Sequence, residues 1–269
     1  MPTIEARDGT RLYVHDWGSG PAVLLIHGWP LSADSWEKQH MALAERGFRV
    51  AAYDRRGFGR SDKPWTGYDY DTLADDAAAV IDGLRLADVS LVGFSMGGGE
   101  VARYLGRHGR AKVARAAFLG AITPWLMGEG GASNEMLDGL KAAIREDRPG
   151  FFTGFFRNFY GAGTPEGASS EELLRWSWNM AMQASPKAVI DCVEAWKTDF
   201  RGDMAAFKGV PTLVVHGTQD QIVPIDPTAR RMSQLIPHAR LIEYEGAPHG
   251  LLASHGERVA QDLLAFLRS

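Results

Sequence analysis

Leu91-Val92-Gly93-Phe94-Ser95-Met96-Gly97-Gly98-Gly99-Glu100 is the stretch that decides the fold. An apolar run of strand character enters Gly-x-Ser-x-Gly and a helix-compatible segment leaves it. Glycines on both sides of the serine suit a sharp, strained turn with no space for side chains nearby. Such a turn presents the Ser95 hydroxyl at the carboxyl edge of a sheet, beside the unpaired N–H groups of a helix start. The pentapeptide alone also describes an ordinary Gly-rich turn that contains a serine. Its strand-turn-helix setting gives it chemical meaning.

Outward from that turn, short aliphatic runs alternate with amphipathic stretches, as βα units around a mostly parallel sheet require. Arg11 to Trp17, Ala22 to His27, Arg49 to Asp54, Val89 to Phe94 and Arg115 to Leu119 read as strands, several apolar enough for burial on both faces. Leu73, Ala77, Val80, Ile81 and Leu84 fall on one stripe of a crossover helix. After Thr123-Pro124 the character changes to helix-period segments rich in aromatics, among them Trp125, Phe151, Phe155, Phe159, Trp176, Trp178 and Trp196. Most of these aromatics read as core of an insertion. Ser185-Pro186 supplies a capping residue and a proline at the first helical position. From Val210 the βα rhythm resumes, with strands at Thr212 to His216 and Arg240 to Tyr244 and helices at Pro227 to Ile236 and Glu257 to Leu267. The expected architecture is α/β: a mostly parallel central sheet flanked by helices, formed by residues 1–120 and 210–269, with a helical cap insertion at 121–209. A chain of 269 residues is compatible with one such domain, since α/β sheet domains of roughly 250 residues are common.

A serine hydroxyl is a poor nucleophile near neutral pH and requires a base and a group to orient that base. Two later strand ends offer them. Val215-His216-Gly217-Thr218-Gln219-Asp220 closes a buried strand with a carboxylate, and Glu245-Gly246-Ala247-Pro248-His249-Gly250 follows the next strand with an imidazole. The chain order Ser95, Asp220, His249 supplies a serine, an acid and a base, with Asp220 accepting from Nδ1–H of His249. Asp226 is a competing carboxylate, expected to cap the following helix, and His255 a rival base, expected to cap the last one. The histidines at 15, 27, 40, 108, 216 and 238 read as structural, and no pair has the spacing of a zinc site.

An oxyanion hole needs one N–H from the residue after the nucleophile and one from an earlier strand's loop. Met96 supplies the first. In Ile26-His27-Gly28-Trp29-Pro30, Trp29 is the second donor, because Pro30 has no N–H; His27 is expected to order this loop rather than to handle protons. Pro30 fixes the loop path, and sequence leaves the isomer of its bond to Trp29 open.

Composition narrows the partners. Apolar residues are 45% and charged residues 23%, ordinary for a globular protein with a large core. A net charge of −4 without a long basic run gives no footprint for nucleic acid or an anionic membrane surface. Met1 to Asp8 lack the basic and apolar parts of a secretory signal, no segment is long and apolar enough to span a bilayer, and the single Cys192 suits a reducing cytoplasm. The Walker and dinucleotide-binding patterns are absent, Gly57-Phe58-Gly59 being too short. Neither cofactor nor metal is implied, and the expected partner is a small neutral molecule.

These motifs closely resemble the bacterial cofactor-free haloperoxidases, or perhydrolases, and their arylesterase relatives within the α/β-hydrolase fold. The likeness is carried by His27 through Trp36, Tyr53 through Asp62, Gly93 through Glu100, Thr198-Asp199-Phe200-Arg201, and His216-Gly217 through Pro224. It implies hydrolysis of small carboxylic esters through a serine acyl-enzyme. It also implies that hydrogen peroxide can replace water, giving a peracid that oxidises halides in free solution. The match of Pro30 to perhydrolytic members implies a tuning role for that loop, and relatives imply a homo-oligomer, a trimer or hexamer. Arg55-Arg56 is expected to order nearby loops. Phe94, Ile122, Trp125, Phe200 and Ile222 are candidates for an apolar substrate pocket, each with a plain core role as the alternative. The alternatives in function are an amidase, lactonase or γ-lactamase using the same triad, and a non-catalytic ligand receptor on the same fold.

Overall fold

The computed structural model describes residues 3–168 and 170–269; Met1 and Pro2 of the amino-terminal stretch lie outside them. Among the described residues the eight strands are β1 Thr3–Glu5, β2 Arg11–Gly18, β3 Ala22–Ile26, β4 Arg49–Tyr53, β5 Val89–Phe94, β6 Val113–Leu119, β7 Thr212–Gly217 and β8 Arg240–Tyr244. They form one sheet in the order β1-β2-β4-β3-β5-β6-β7-β8. The first two pairings are antiparallel and the remaining five parallel. Every residue of β3 and β5 is buried. This explains their continuous apolar sequence, because helices cover both faces of a parallel sheet.

The helices are α1 Glu37–Ala44, α2 Tyr70–Gly83, α3 Met96–His108, α4 Asn134–Phe159, α5 Glu171–Gln183, α6 Pro186–Ala195, α7 Arg231–Leu235, α8 Leu251–Ser254 and α9 Gly256–Leu267. On α2, Leu73, Ala77, Val80 and Ile81 are the buried stripe, and the helix starts where the Asp69 carboxylate accepts from Thr72 N–H at 2.9 Å. Ser185 caps α6 with Pro186 in its first turn. Helices α4 to α6 all lie between β6 and β7. α4 bends at Asp147, two residues before Pro149, whose ring is incompatible with an unbroken helix. Among the described residues, no helix is long and apolar enough to cross a membrane.

Several local expectations need correction. β1 and α1 carry too weak a pattern to be read: one is a three-residue edge strand, and the other, Glu-Lys-Gln-His-Met-Ala-Leu-Ala, is mostly polar. β3 stops at Ile26, so His27 belongs to the loop. The segment expected as one helix from Pro227 begins as a π-helical turn at Asp226–Arg230 before α7. Asp226 caps nothing with its side chain; it pairs with Arg230 at 2.9 Å. His255 likewise makes no side-chain cap, and contacts Ser254 Oγ and Glu166 instead.

Candidate active site

Because β3, β5, β6, β7 and β8 run parallel, the loops that follow them gather at one edge of the sheet. Those loops hold residues 27–30, Ser95, 120–122, 218–223 and 245–250. At the end of β5, Ser95 takes φ 53° and ψ −119°, a conformation that side-chain-bearing residues rarely adopt. The flanking glycine is required by contact: a Cβ on Gly97 would run into the carbonyl of Ile26. The elbow therefore sits directly on the end of β3.

The Ser95 hydroxyl donates to His249 Nε2 at 3.0 Å, and His249 Nδ1–H donates to Asp220 Oδ2 at 2.7 Å. The other carboxylate oxygen of Asp220 accepts the N–H groups of Ile222 and Val223, at 2.9 and 2.7 Å. Burial would raise the Asp220 carboxyl, but the charge on His249 and hydrogen bonds from His216 and His249 together hold it well below the usual range. All three side chains are buried, so their mutual hydrogen bonds act in a weakly screened setting. Asp226 and His255, the rivals in sequence, are engaged with Arg230 and with Glu166 and Ser254.

Met96 opens α3, so its N–H is one of the four at a helix start without an intrahelical acceptor. Gly28 lies so close to Ser95 that an added Cβ would stand 3.1 Å from the serine Cβ, which brings the Trp29 loop to the nucleophile. Among the described residues the Trp29 N–H has no acceptor, while its indole donates to Val189 C=O at 3.0 Å. His27 sets the direction of that N–H. Arg55 N–H donates to His27 Nε2 at 2.9 Å, so the ring hydrogen sits on Nδ1 and is donated to Gly28 C=O at 2.8 Å. Leu31 N–H reaches the same carbonyl at 3.0 Å. Gly28 C=O and Trp29 N–H share one trans peptide and point oppositely, so fixing the carbonyl fixes the donor. Trp29-Pro30 itself is cis.

Behind His27 lies a buried polar chain. Arg55 donates to Glu100 through Nε at 2.6 Å and to His27 C=O through Nη2 at 2.6 Å, and Tyr53 O–H donates to Glu100 Oε2 at 2.6 Å. Burial first, and then the adjacent Arg55 charge, keep His27 well below the ordinary imidazole range. Arg56 is tied to Asp76 and Asp8. Both arginines order loops.

The apolar candidates divide. Phe94 stacks at a tilt on the His249 ring, centroids 5.1 Å apart, and Ile122 N–H lies 3.4 Å from Ser95 C=O. Ile222 adjoins the acid through its backbone. Trp125 instead lines a surface cleft with Pro124, Asp226 and Arg231, the Arg201 guanidinium over its ring at 4.5 Å. Phe200 is core: it packs edge-on against Tyr70 and under Arg103. Sequence reasoning overlooked Phe159, Phe155 and Trp196 as site residues. Phe159 meets the His249 ring edge-on at 4.8 Å, and its carbonyl accepts from Gly250 N–H at 2.8 Å. Phe155 and Trp196 pack edge-on against Trp29, at 5.4 and 4.9 Å.

The model of the alpha/beta hydrolase fold family matches residues 21–255. Over 275 residues, all of both chains, the protein is 42% identical to a non-heme haloperoxidase of Rhodococcus erythropolis. It is 36% identical over 277 residues to a bifunctional esterase/perhydrolase of Acinetobacter calcoaceticus, again covering both chains fully. The structure of a bromoperoxidase from Bacillus anthracis superposes with a TM-score of 0.94 at 40% identity, covering 100% of this chain and 99% of that one. Strand order, elbow and full-length similarity agree, and the chain belongs to the α/β-hydrolase fold family, among relatives that include non-heme haloperoxidases and an esterase/perhydrolase.

Proposed function

We propose that the protein is a serine hydrolase that cleaves small carboxylic esters through an acyl-enzyme and, with hydrogen peroxide in place of water, forms peracids. The observation that supports this most directly is the unbroken hydrogen-bonded series Ser95, His249, Asp220 at the strand ends. The names of the relatives point the same way.

In the proposed cycle, Ser95 Oγ attacks the ester carbonyl while His249 Nε2 takes its proton, and Asp220 stabilises the imidazolium. The new oxyanion receives the N–H groups of Met96 and Trp29, donors fixed before the reaction begins. His249 returns its proton to the departing alkoxide, leaving an acyl-Ser95 ester. Water or hydrogen peroxide then gives a proton to His249 and attacks the acyl carbon, and collapse returns the proton to Ser95 and releases a carboxylic acid or a peracid. Residues 121–209 act as the cap: Phe155, Phe159 and Trp196 wall the site with Phe94 and Trp29 and favour a short, uncharged acyl group. Pro30 tunes which nucleophile deacylates. A cytoplasmic location and a trimeric or hexameric assembly complete the proposal.

A fluorophosphonate probe tests the core of it. The wild type is expected to label and Ser95→Ala to stay unlabelled; a wild type that does not label would fit a ligand receptor with a dead site. Short esters, lactones and amides, each with and without peroxide, then separate the esterase and perhydrolase from a lactonase, amidase or γ-lactamase.

A further inference from the structure

We propose that His216 is a positioning residue for the triad: a second histidine beside the acid, whose Nε2–H lies against Asp220 Oδ2 and moderates the pull of that carboxylate on His249. The proposal rests on the serine-hydrolase reading of the same site.

His216 is fully buried near the end of β7, four residues before Asp220. Its Nε2 stands 2.8 Å from Val223 C=O and 3.2 Å from Asp220 Oδ2. A carbonyl only accepts, so Nε2 carries the ring hydrogen, placed between two acceptors. Nδ1 is buried and has no partner among the described residues, so no acceptor awaits a hydrogen on that side.

The acid thereby has four N–H groups around it. Oδ1 takes the N–H groups of Ile222 and Val223, and Oδ2 takes Nδ1–H of His249 and lies 3.2 Å from His216 Nε2. A carboxylate with every side occupied neither rotates nor concentrates its charge on one partner. Without His216, Oδ2 would face His249 alone and would hold the imidazolium more tightly, and the base would stay protonated to higher pH. Other charges nearby are already engaged. Glu243 of β8, opposite His216 in the strand register, is held by Arg230 at 2.9 and 2.6 Å, and Arg230 also holds Asp226. Among the described residues, the other groups against the His249 ring are Ser95, Gly120 and the uncharged rings of Phe94 and Phe159.

Three substitutions decide it. In His216→Gln an amide donor can reach the place of Nε2; in His216→Asn the amide falls short of Asp220; in His216→Leu there is no donor. The rate of fluorophosphonate labelling is measured against pH, with thermal unfolding alongside. The Leu and Asn variants are expected to move the acid limb upward by about one pH unit, and Gln by a few tenths. A purely structural role would lower the melting temperature or the plateau and leave the limb in place, and that result overturns the proposal. If Leu fails to fold, Asn against Gln carries the same comparison. If wild-type Ser95 does not label at all, the serine-hydrolase reading falls, and ¹⁵N titration of the His249 ring across the same variants still decides whether His216 acts on the acid.

Discussion

Two buried polar chains meet at Ser95, and they are built from nearly the same parts. On one side a carboxylate, Asp220, holds an imidazole, His249, which accepts from the serine hydroxyl. On the other, Glu100 holds Arg55, which flanks the imidazole of His27, which donates to the peptide carrying the Trp29 N–H. The first ends on an atom that can give up a proton. The second ends on a carbonyl, which cannot, and the proton on His27 is fixed by a backbone N–H on its far nitrogen. A carboxylate and an imidazole thus serve the proposed chemistry in one place and carpentry in the other, and the terminal atom decides which.

The same acid-to-amide change in each chain puts that contrast to the sharpest test. Asp220→Asn is expected to cut kcat on the order of 10⁴-fold while the melting temperature stays near that of the wild type, since the amide presents His249 with the wrong hydrogen pattern. Steady-state kinetics beside calorimetry read both. Glu100→Gln is expected to do the reverse: removing one partner of a fully buried ion pair costs about 3 to 5 kcal/mol of stability, read from denaturant midpoints, with kcat per folded molecule much less affected. If both variants lost activity alike and stability alike, the two chains would have a common function and the contrast would fail.

His27→Gln probes the carpentry itself. An amide near the Nε2 position can still accept from Arg55 but no longer holds Gly28 C=O, so kcat is expected to fall about 100-fold with KM nearly unchanged, as for loss of one oxyanion donor. This variant also carries a pH signature. Folded His27 resists protonation, whereas the unfolded chain takes a proton near the ordinary value of about 6.5. Below that pH the unfolded state binds more protons, so wild-type stability falls as pH drops from about 6.5. In His27→Gln this part of the slope should vanish from denaturant midpoints taken at pH 5, 6 and 7. The smallest effect belongs to Pro30→Leu: a few-fold drop in the ratio of perhydrolysis to hydrolysis, less than about 1.4 kcal/mol. An unchanged ratio removes Pro30 from the account.

What could be read from sequence follows the range of the signal. The elbow, the strand rhythm and the order of Ser95, Asp220 and His249 are local patterns, and parallel strands then bring their ends together as a matter of topology. That the Trp29 loop lies beside Ser95 was legible for the same reason. The contacts of Phe159 with His249 and of Trp196 with Trp29 join residues 90 and 167 positions apart, and depend on how α4 and α6 settle over the sheet. Nothing periodic marks them. Trp125 and Phe200 misled because an aromatic near a strand end can turn toward solvent or toward the core, and sequence does not choose. The place of His216 beside Asp220 was not legible either: sequence shows a histidine ending a buried strand, and its contacts with Val223 and Asp220 depend on how the loop after β7 turns back.

The hydrogen bond from Gly250 N–H to Phe159 C=O ties the far end of α4 to the residue after the base. One helix end therefore both walls the His249 ring and holds the backbone beside it. On the proposed function, reshaping acyl preference by mutating that end would also disturb turnover, so selectivity and speed would share a single bolt and the rim of the site away from Phe159 would be the safer place to alter substrate choice.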